Sequence, residues 1–221
     1  MIKIASFLTC IAVLLGPGVA PVPAQAQLAR TFVSSFGNDA NDCNRLTPCR
    51  TFQRAHDNIL PAGEITVLDP GGYGTVTITN GISIINDGVG EAGVLVSGGF
   101  NGITVVAGAT DAISLRGLTI KGIGFGGGNG IVFNTGATLT IENCAIRTLT
   151  RADDFRGFGI VVQAAVPRHL AMFNTIVADN QRNGVFAEPT AAITATLSRV
   201  RAINNGLHGL IFDGTSPISC H

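Results

Sequence analysis

Between Gly130 and Phe212 the chain says nearly the same thing four times. Gly130-Ile131-Val132-Phe133 is followed by Gly159-Ile160-Val161-Val162, Gly184-Val185-Phe186-Ala187 and Gly209-Leu210-Ile211-Phe212, and Gly102-Ile103-Thr104-Val105 precedes them. The glycines are separated by 28, 29, 25 and 25 residues. A period in this range means stacked units, each too small to bury its own apolar face. Two further apolar pairs recur in every period. One is Ile113/Leu115, Leu139/Ile141, Leu170/Met172 and Ala195/Leu197; the other is Leu118/Ile120, Cys144/Ile146, Thr175/Val177 and Val200/Ala202. Each pair is spaced by two, the period of a strand with one buried face. Between the pairs stands Gly117, Asn143, Asn174 or Arg199. Gly and Asn tolerate a left-handed backbone, so a tight corner is expected there. Three short strands, a corner and a turn describe one coil of a parallel β-helix, with equivalent strands about 4.8 Å apart. Helical repeats fail on two counts: the apolar spacing is two, and Gly and Asn recur inside every unit.

Residues 1–26 read as a secretory signal. Lys3 supplies the positive start, Ile4 to Val19 the apolar run, and Ala24-Gln25-Ala26 the small-residue cleavage site. A membrane anchor is the competing reading, but Gly16, Pro17, Pro21 and Pro23 break the run short of the ~20 residues a span needs. Cys10 lacks the small residue that a lipid-anchoring signal places directly before it. The expectation is a secreted or periplasmic protein cut near Ala26, with no membrane span. Composition agrees: 13% charged residues, 46% hydrophobic and 29 Gly mark short strands and turns rather than disorder. A net charge of +0 removes the usual electrostatic argument for a nucleic-acid partner. Residues 27–63 form an N-terminal cap segment and 64–221 the β-helix.

Four cysteines follow the signal. Cys43 and Cys49 lie in one polar loop and, in an oxidising compartment, are expected to form a disulfide. A metal site is the alternative, without a second Cys or His pair at ligand spacing to support it. Cys144 falls on an inward position and reads as a small buried hydrophobe; Cys220 reads as a free thiol. Pro48 to Leu60 is the one helix candidate: Phe52, Ala55 and Ile59 share a face, Thr47 or Thr51 can cap the start, and Pro61 stops it. Placed before a first strand at Ile65–Leu68, that helix is expected to cover the open top of the core. Further strands are expected at Thr75–Thr79, Gly81–Ile85 and Gly93–Ser97, for six or seven coils in all.

The runs Thr31-Phe32-Val33-Ser34-Ser35-Phe36-Gly37-Asn38-Asp39, Pro48-Cys49-Arg50-Thr51-Phe52-Gln53-Arg54-Ala55 and Ile65-Thr66-Val67-Leu68-Asp69-Pro70-Gly71-Gly72-Tyr73 resemble the opening of secreted right-handed β-helix proteins of the pectin-lyase-like superfamily. With the repeats, the resemblance covers most of the chain after the signal. It implies an all-β fold, a right-handed single-stranded parallel β-helix (a solenoid) with a short N-terminal capping helix. Polysaccharide lyases, galacturonases and uronate epimerases share that fold, so the resemblance implies a polysaccharide partner without choosing an activity.

In enzymes of this superfamily substrate lies along the strand that opens each coil and the turn feeding it. Here the feeding turns are Lys121 to Asn129, Leu149 to Phe158, Asp179 to Asn183 and Asn204 to His208. They present Arg151, Asp153, Asp154, Phe155, Arg156, Asp179, Arg182 and His208, with Asp213 just past the last strand. Asp153 and Asp154, with Arg156 or Arg182 as partner, are the candidate catalytic set; Arg151, Phe155, Asp179, His208 and Asp213 are candidate groove residues. Two carboxylates can serve as general acid and base on a glycosidic bond. Alternatively, as the lyase resemblance implies, carboxylates hold Ca²⁺ against a uronate while an arginine takes the proton. The same residues also read as ordinary solvated turn residues, and consecutive aspartates on an extended chain point apart. The first functional reading is therefore a polysaccharide-associated protein with weak or no catalysis; the second is a lyase, hydrolase or epimerase acting on uronate-containing polymers.

Other signals carry less. Gly122 to Gly130 imitates a phosphate loop, but a strand rather than a helix follows. His56, His169 and His208 have no ligand spacing, and the calcium-binding nonapeptide lacks its aspartate. Phe125, Phe155 and Phe158 are the aromatics expected to be free to stack on a sugar. The last strand is followed by no second helix, so either a lower edge pairs with another copy of the chain or the chain is a shortened relative.

Overall fold

The structure, a computed structural model, describes residues 27–124, 127–150, 156–163, 168–188, 191–212 and 218–220. The signal segment 1–26 lies outside them. Among the described residues twenty strands form three sheets, and neighbouring strands pair in parallel. Sheet A holds Leu28–Val33, Ile59–Val67, Ser83–Ile85, Ala112–Arg116, Thr138–Glu142, Arg168–Phe173, Ile193–Ser198 and Ile218–Cys220. Sheet B holds Gly71–Gly72, Ala92–Val96, Leu118–Gly122, Ala145–Arg147, Ile176–Ala178 and Arg201–Ile203. Sheet C holds Val76–Ile78, Ile103–Val106, Ile131–Thr135, Ile160–Val162, Val185–Ala187 and Leu210–Phe212. The chain visits C, A and B in turn, which makes a parallel β-helix.

The register is the one the repeat dictates. Ile103, Ile131, Ile160, Val185 and Leu210 are successive partners on sheet C. On sheet A, Leu115, Ile141, Met172 and Leu197 stack in the same way, and on sheet B so do Ile120, Ile146, Val177 and Ala202. These columns turn inward and fill one continuous core, where Ile131, Ile160 and Val185 are fully buried. Leu210, the same position in the last described coil of sheet C, is 40% exposed.

The glycine that begins each sheet C strand has a packing reason. A Cβ on Gly102 would stand 2.6 Å from the carbonyl oxygen of Gly130, and on Gly159 2.5 Å from that of Gly184. Each glycine thus leaves room for the backbone of the coil beside it, so any side chain there would force the coils apart. The corner between sheets A and B has a conformational reason instead. Gly117, Asn143, Asn174 and Arg199 all adopt positive φ, from 45° to 73°. Asn174 donates to Asn143 Oδ1 at 2.7 Å, stacking one corner on the next.

The N-terminal segment differs from expectation in its limits. The helix covers Phe52–Asp57, shorter than Pro48 to Leu60, because Ile59 already belongs to the strand Ile59–Val67. Thr51 caps it by accepting from the Arg54 amide at 3.2 Å, and Phe52 and Ala55 enter the core. Cys43 and Cys49 form the expected disulfide, with both residues fully buried. Tyr73 stacks on Phe52 with centroids 5.1 Å apart and sends its hydroxyl to Asp69, which also takes hydrogen bonds from Ser34 and Ser35. That cluster fastens the first strand to the first coil. Cys144 is 3% exposed, and burial pushes its thiol up to about 11, so it packs as a hydrophobe.

Candidate functional site

The turns from sheet B to sheet C are built on a second corner. Thr148, Asp179 and Asn204 occupy equivalent places and all have positive φ. The next residues, Leu149, Asn180 and Asn205, turn inward. Asn180 is 1% exposed; it accepts from the Leu149 amide at 3.1 Å and donates to Asn205 Oδ1 at 2.9 Å. This buried ladder holds each turn against the coil above, and so fixes where the following residues emerge beside sheet C. A second ladder stands just before the strands. Asn101 Oδ1 accepts from the Asn129 amide, Asn129 Oδ1 from Phe158 and Asn183 Oδ1 from His208, each within 3.2 Å.

Of the residues expected to face substrate, Arg151, Asp153, Asp154, Phe155 and Asp213 lie outside the described residues. The other four are spread along the turns. Asp179 sits at the exposed corner, where Asn204 donates to its Oδ1 at 2.6 Å. Arg182 lies over the Phe158 ring, its guanidinium carbon 4.8 Å from the centroid. Arg156 reaches the other way and covers Gly99. His208 is exposed, and its amide belongs to the asparagine ladder.

Phe158 corrects an expectation. It is 6% exposed, not free to stack on a ligand, because it packs between Arg182 and Phe186 with Val132 and Val161 beneath. Among the described residues Phe100 is instead the exposed aromatic of this wall, at 71%. It borders a recess of about 240 Å³ lined also by Gln53, Thr75, Val76, Thr77, Gly99, Asn101 and Thr104. Thr77 and Thr104 are cross-strand partners on the outer face of sheet C, and the next places in that column are Val132, Val161, Phe186 and Ile211. The wall therefore changes along its length, from hydroxyls and amides beside the helix to an apolar stripe under Arg182. The sequence held one signal for the upper recess: an aromatic directly after the Gly98-Gly99 turn.

Among the described residues no three His, Cys, Asp or Glu side chains converge closely enough to hold a metal ion. Among the described residues no helix is long and apolar enough to cross a membrane. Arg168 is a further residue that the sequence did not announce. It is 6% exposed, points inward over Phe133 and donates to the Gly136 carbonyl, and burial lowers its pKa.

No protein-family model matches the chain, and no curated protein does. A solved structure, that of pectate lyase Pel9A, superposes with a TM-score of 0.56 at 14% sequence identity. The match covers 82% of this chain and 55% of that one, so the chain spans little more than half the length of that lyase. The fold is a parallel β-helix of the pectin-lyase-like type. In this chain sheet C is the wall whose strands follow the longest turns, the longest running from Arg147 to Ile160.

Proposed function

We propose that this is an exported β-helix protein, secreted or periplasmic, that associates with polysaccharide along sheet C and has weak or no catalytic activity. The observation that carries the reading is the recess at Phe100. An exposed ring beside three threonines and the side chains of Gln53 and Asn101 matches what a sugar needs, a flat apolar face and several hydrogen-bonding groups. Weak catalysis is supported by the engagement of one catalytic candidate, Arg182 on Phe158, and of the groove candidate Asp179 with Asn204. In this reading the coil is right-handed, as parallel crossovers nearly always are, and the Phe52–Asp57 helix shields the top of the core.

A second reading, a lyase, hydrolase or epimerase acting on uronate-containing polymers, is favoured by the likeness to a pectate lyase fold. It draws also on Asp153 and Asp154, which fall in the turn that feeds this wall. One experiment separates the two. The mature protein is incubated with pectate, alginate and related polymers, with and without Ca²⁺. Binding without new unsaturated or reducing ends is expected. New ends, or altered uronate stereochemistry, lost in Asp153→Asn or Asp154→Asn, would replace the first reading with the second. No binding to any polymer would sink both.

A further inference from the structure

Among the described residues, sheet B carries adjacent positive charges with no carboxylate in their columns. Its outward side chains form two columns, Gly93-Thr119-Ala145-Ile176-Arg201 and Leu95-Lys121-Arg147-Ala178-Ile203. Neither column contains a carboxylate. Lys121 and Arg147 are direct partners in adjacent coils, about 4.8 Å apart along the axis. Neither makes an ion pair among the described residues, whereas on sheet A Arg30 pairs with Glu64 and Arg116 with Asp87. Like charges directly opposite each other weaken a sheet, and this chain has as many Asp and Glu as Lys and Arg with which to avoid it. A bound anion relieves such a pair.

The same wall is concave one coil above. Pro70, Gly71, Gly72, Glu91, Gly93 and Leu95 line a recess of about 350 Å³. A Cβ on Gly72 would meet nothing within 4 Å, so the recess is open at that point. Pro70 and the half-exposed Leu95 give it apolar walls, and Glu91 gives it a hydrogen-bond acceptor. A carboxylate inside the recess accepts hydroxyl protons and repels another anion. It therefore favours a neutral, hydroxyl-bearing group there, with any negative charge displaced toward Lys121.

We propose that sheet B binds an acidic oligosaccharide lying along the solenoid axis, with one sugar ring in the Gly72 recess and carboxylates of the following units on Lys121 and Arg147. This rests on the polysaccharide reading above and adds to it a second wall and a charge preference. The test is affinity electrophoresis of the mature protein through gels holding polygalacturonate, neutral dextran or poly-glutamate, at low and high salt. Wild type is expected to be retarded by polygalacturonate alone, less so in high salt. Lys121→Ala/Arg147→Ala and, separately, Gly72→Leu are expected to weaken that binding tenfold or more. The double variant should melt no lower than wild type, because it removes repulsion. Binding that survives either change, or that only Phe100→Ala weakens, overturns this inference and leaves the polysaccharide reading standing. Equal retardation by poly-glutamate overturns the choice of a sugar. Retardation by no polymer overturns this inference and the polysaccharide reading together.

Discussion

Replacing Asn180 with alanine tests the ladder that holds the last three feeding turns together beside sheet C. The side chain is 1% exposed, so water cannot take over its hydrogen bonds. Alanine removes the acceptor of the Leu149 amide (3.1 Å) and the donor to Asn205 Oδ1 (2.9 Å). Each buried hydrogen bond contributes about 1 kcal/mol net, and orphaning the Leu149 amide adds about 1–3 kcal/mol. The expected loss is therefore about 3–5 kcal/mol. At a denaturant slope of roughly 2 kcal/mol per molar urea, the unfolding midpoint should fall by about 1.5–2.5 M. Equilibrium urea unfolding followed by far-UV circular dichroism measures it, with the exposed strand variant Thr194→Ala as control, expected within about 0.5 kcal/mol of wild type. Amide exchange should accelerate first at Leu149 and Arg182, whose turn the ladder holds. A cost for Asn180→Ala below about 0.5 kcal/mol would refute the claim that these turns are fixed from inside.

Three further outcomes follow from the same architecture. Ile160→Ala, at a fully buried place in the sheet C column, should cost about 2–5 kcal/mol, and Leu210→Ala, 40% exposed in the same column, less than half as much; equal costs in urea unfolding would contradict the stacking. Asp69 is pushed up by burial, but hydrogen bonds from Ser34, Ser35 and Tyr73 outweigh this and hold its carboxyl below the ordinary value of 3.8. Its contribution is thus complete above about pH 4 and drains away as pH falls through the lower folded value; Asp69→Ala should flatten that acid limb of a stability–pH profile, and an unchanged limb would exclude this cluster. If the edges at Arg201–Ile203 and Leu210–Phe212 pair with a second copy, light scattering should report a mass that rises with concentration, and a monomer at every concentration would remove that pairing.

Much of the fold was legible because a solenoid writes its register into its period. Spacing of two set the inward columns, and Gly117, Asn143 and Asn174 marked a corner that needs positive φ. Even Arg199, a residue with no such preference, adopts it at the same place in the stack. The helix was foreseen too long, since Ile59 serves equally well as the next turn of a helix or the first residue of a strand, and pairing with Leu28 decides. The candidate wall was legible and its contents were not. A polar turn residue looks the same whether it faces solvent or a neighbour, so nothing in the sequence put Arg182 on Phe158 or Asp179 against Asn204. Phe158 was read as free because its cover, Arg182, comes from the next coil. The recesses at Phe100 and Gly72 come from missing side chains in adjacent coils, which only the stacked geometry reveals.

Whether successive coils present their side chains as one wall can be measured as a distance. Nitroxide labels at Thr77 and Ile211, and at Thr104 and Ile211, are placed in a chain whose free cysteines have been replaced. Thr77 lies five coil steps and Thr104 four from Ile211 along the same outward column. Pulsed electron resonance should give distances near 24 and 19 Å, differing by about one strand spacing of 4.8 Å. Equal distances, or a difference of the opposite sign, would mean that these residues do not share a wall, and both proposed binding surfaces would fall with it.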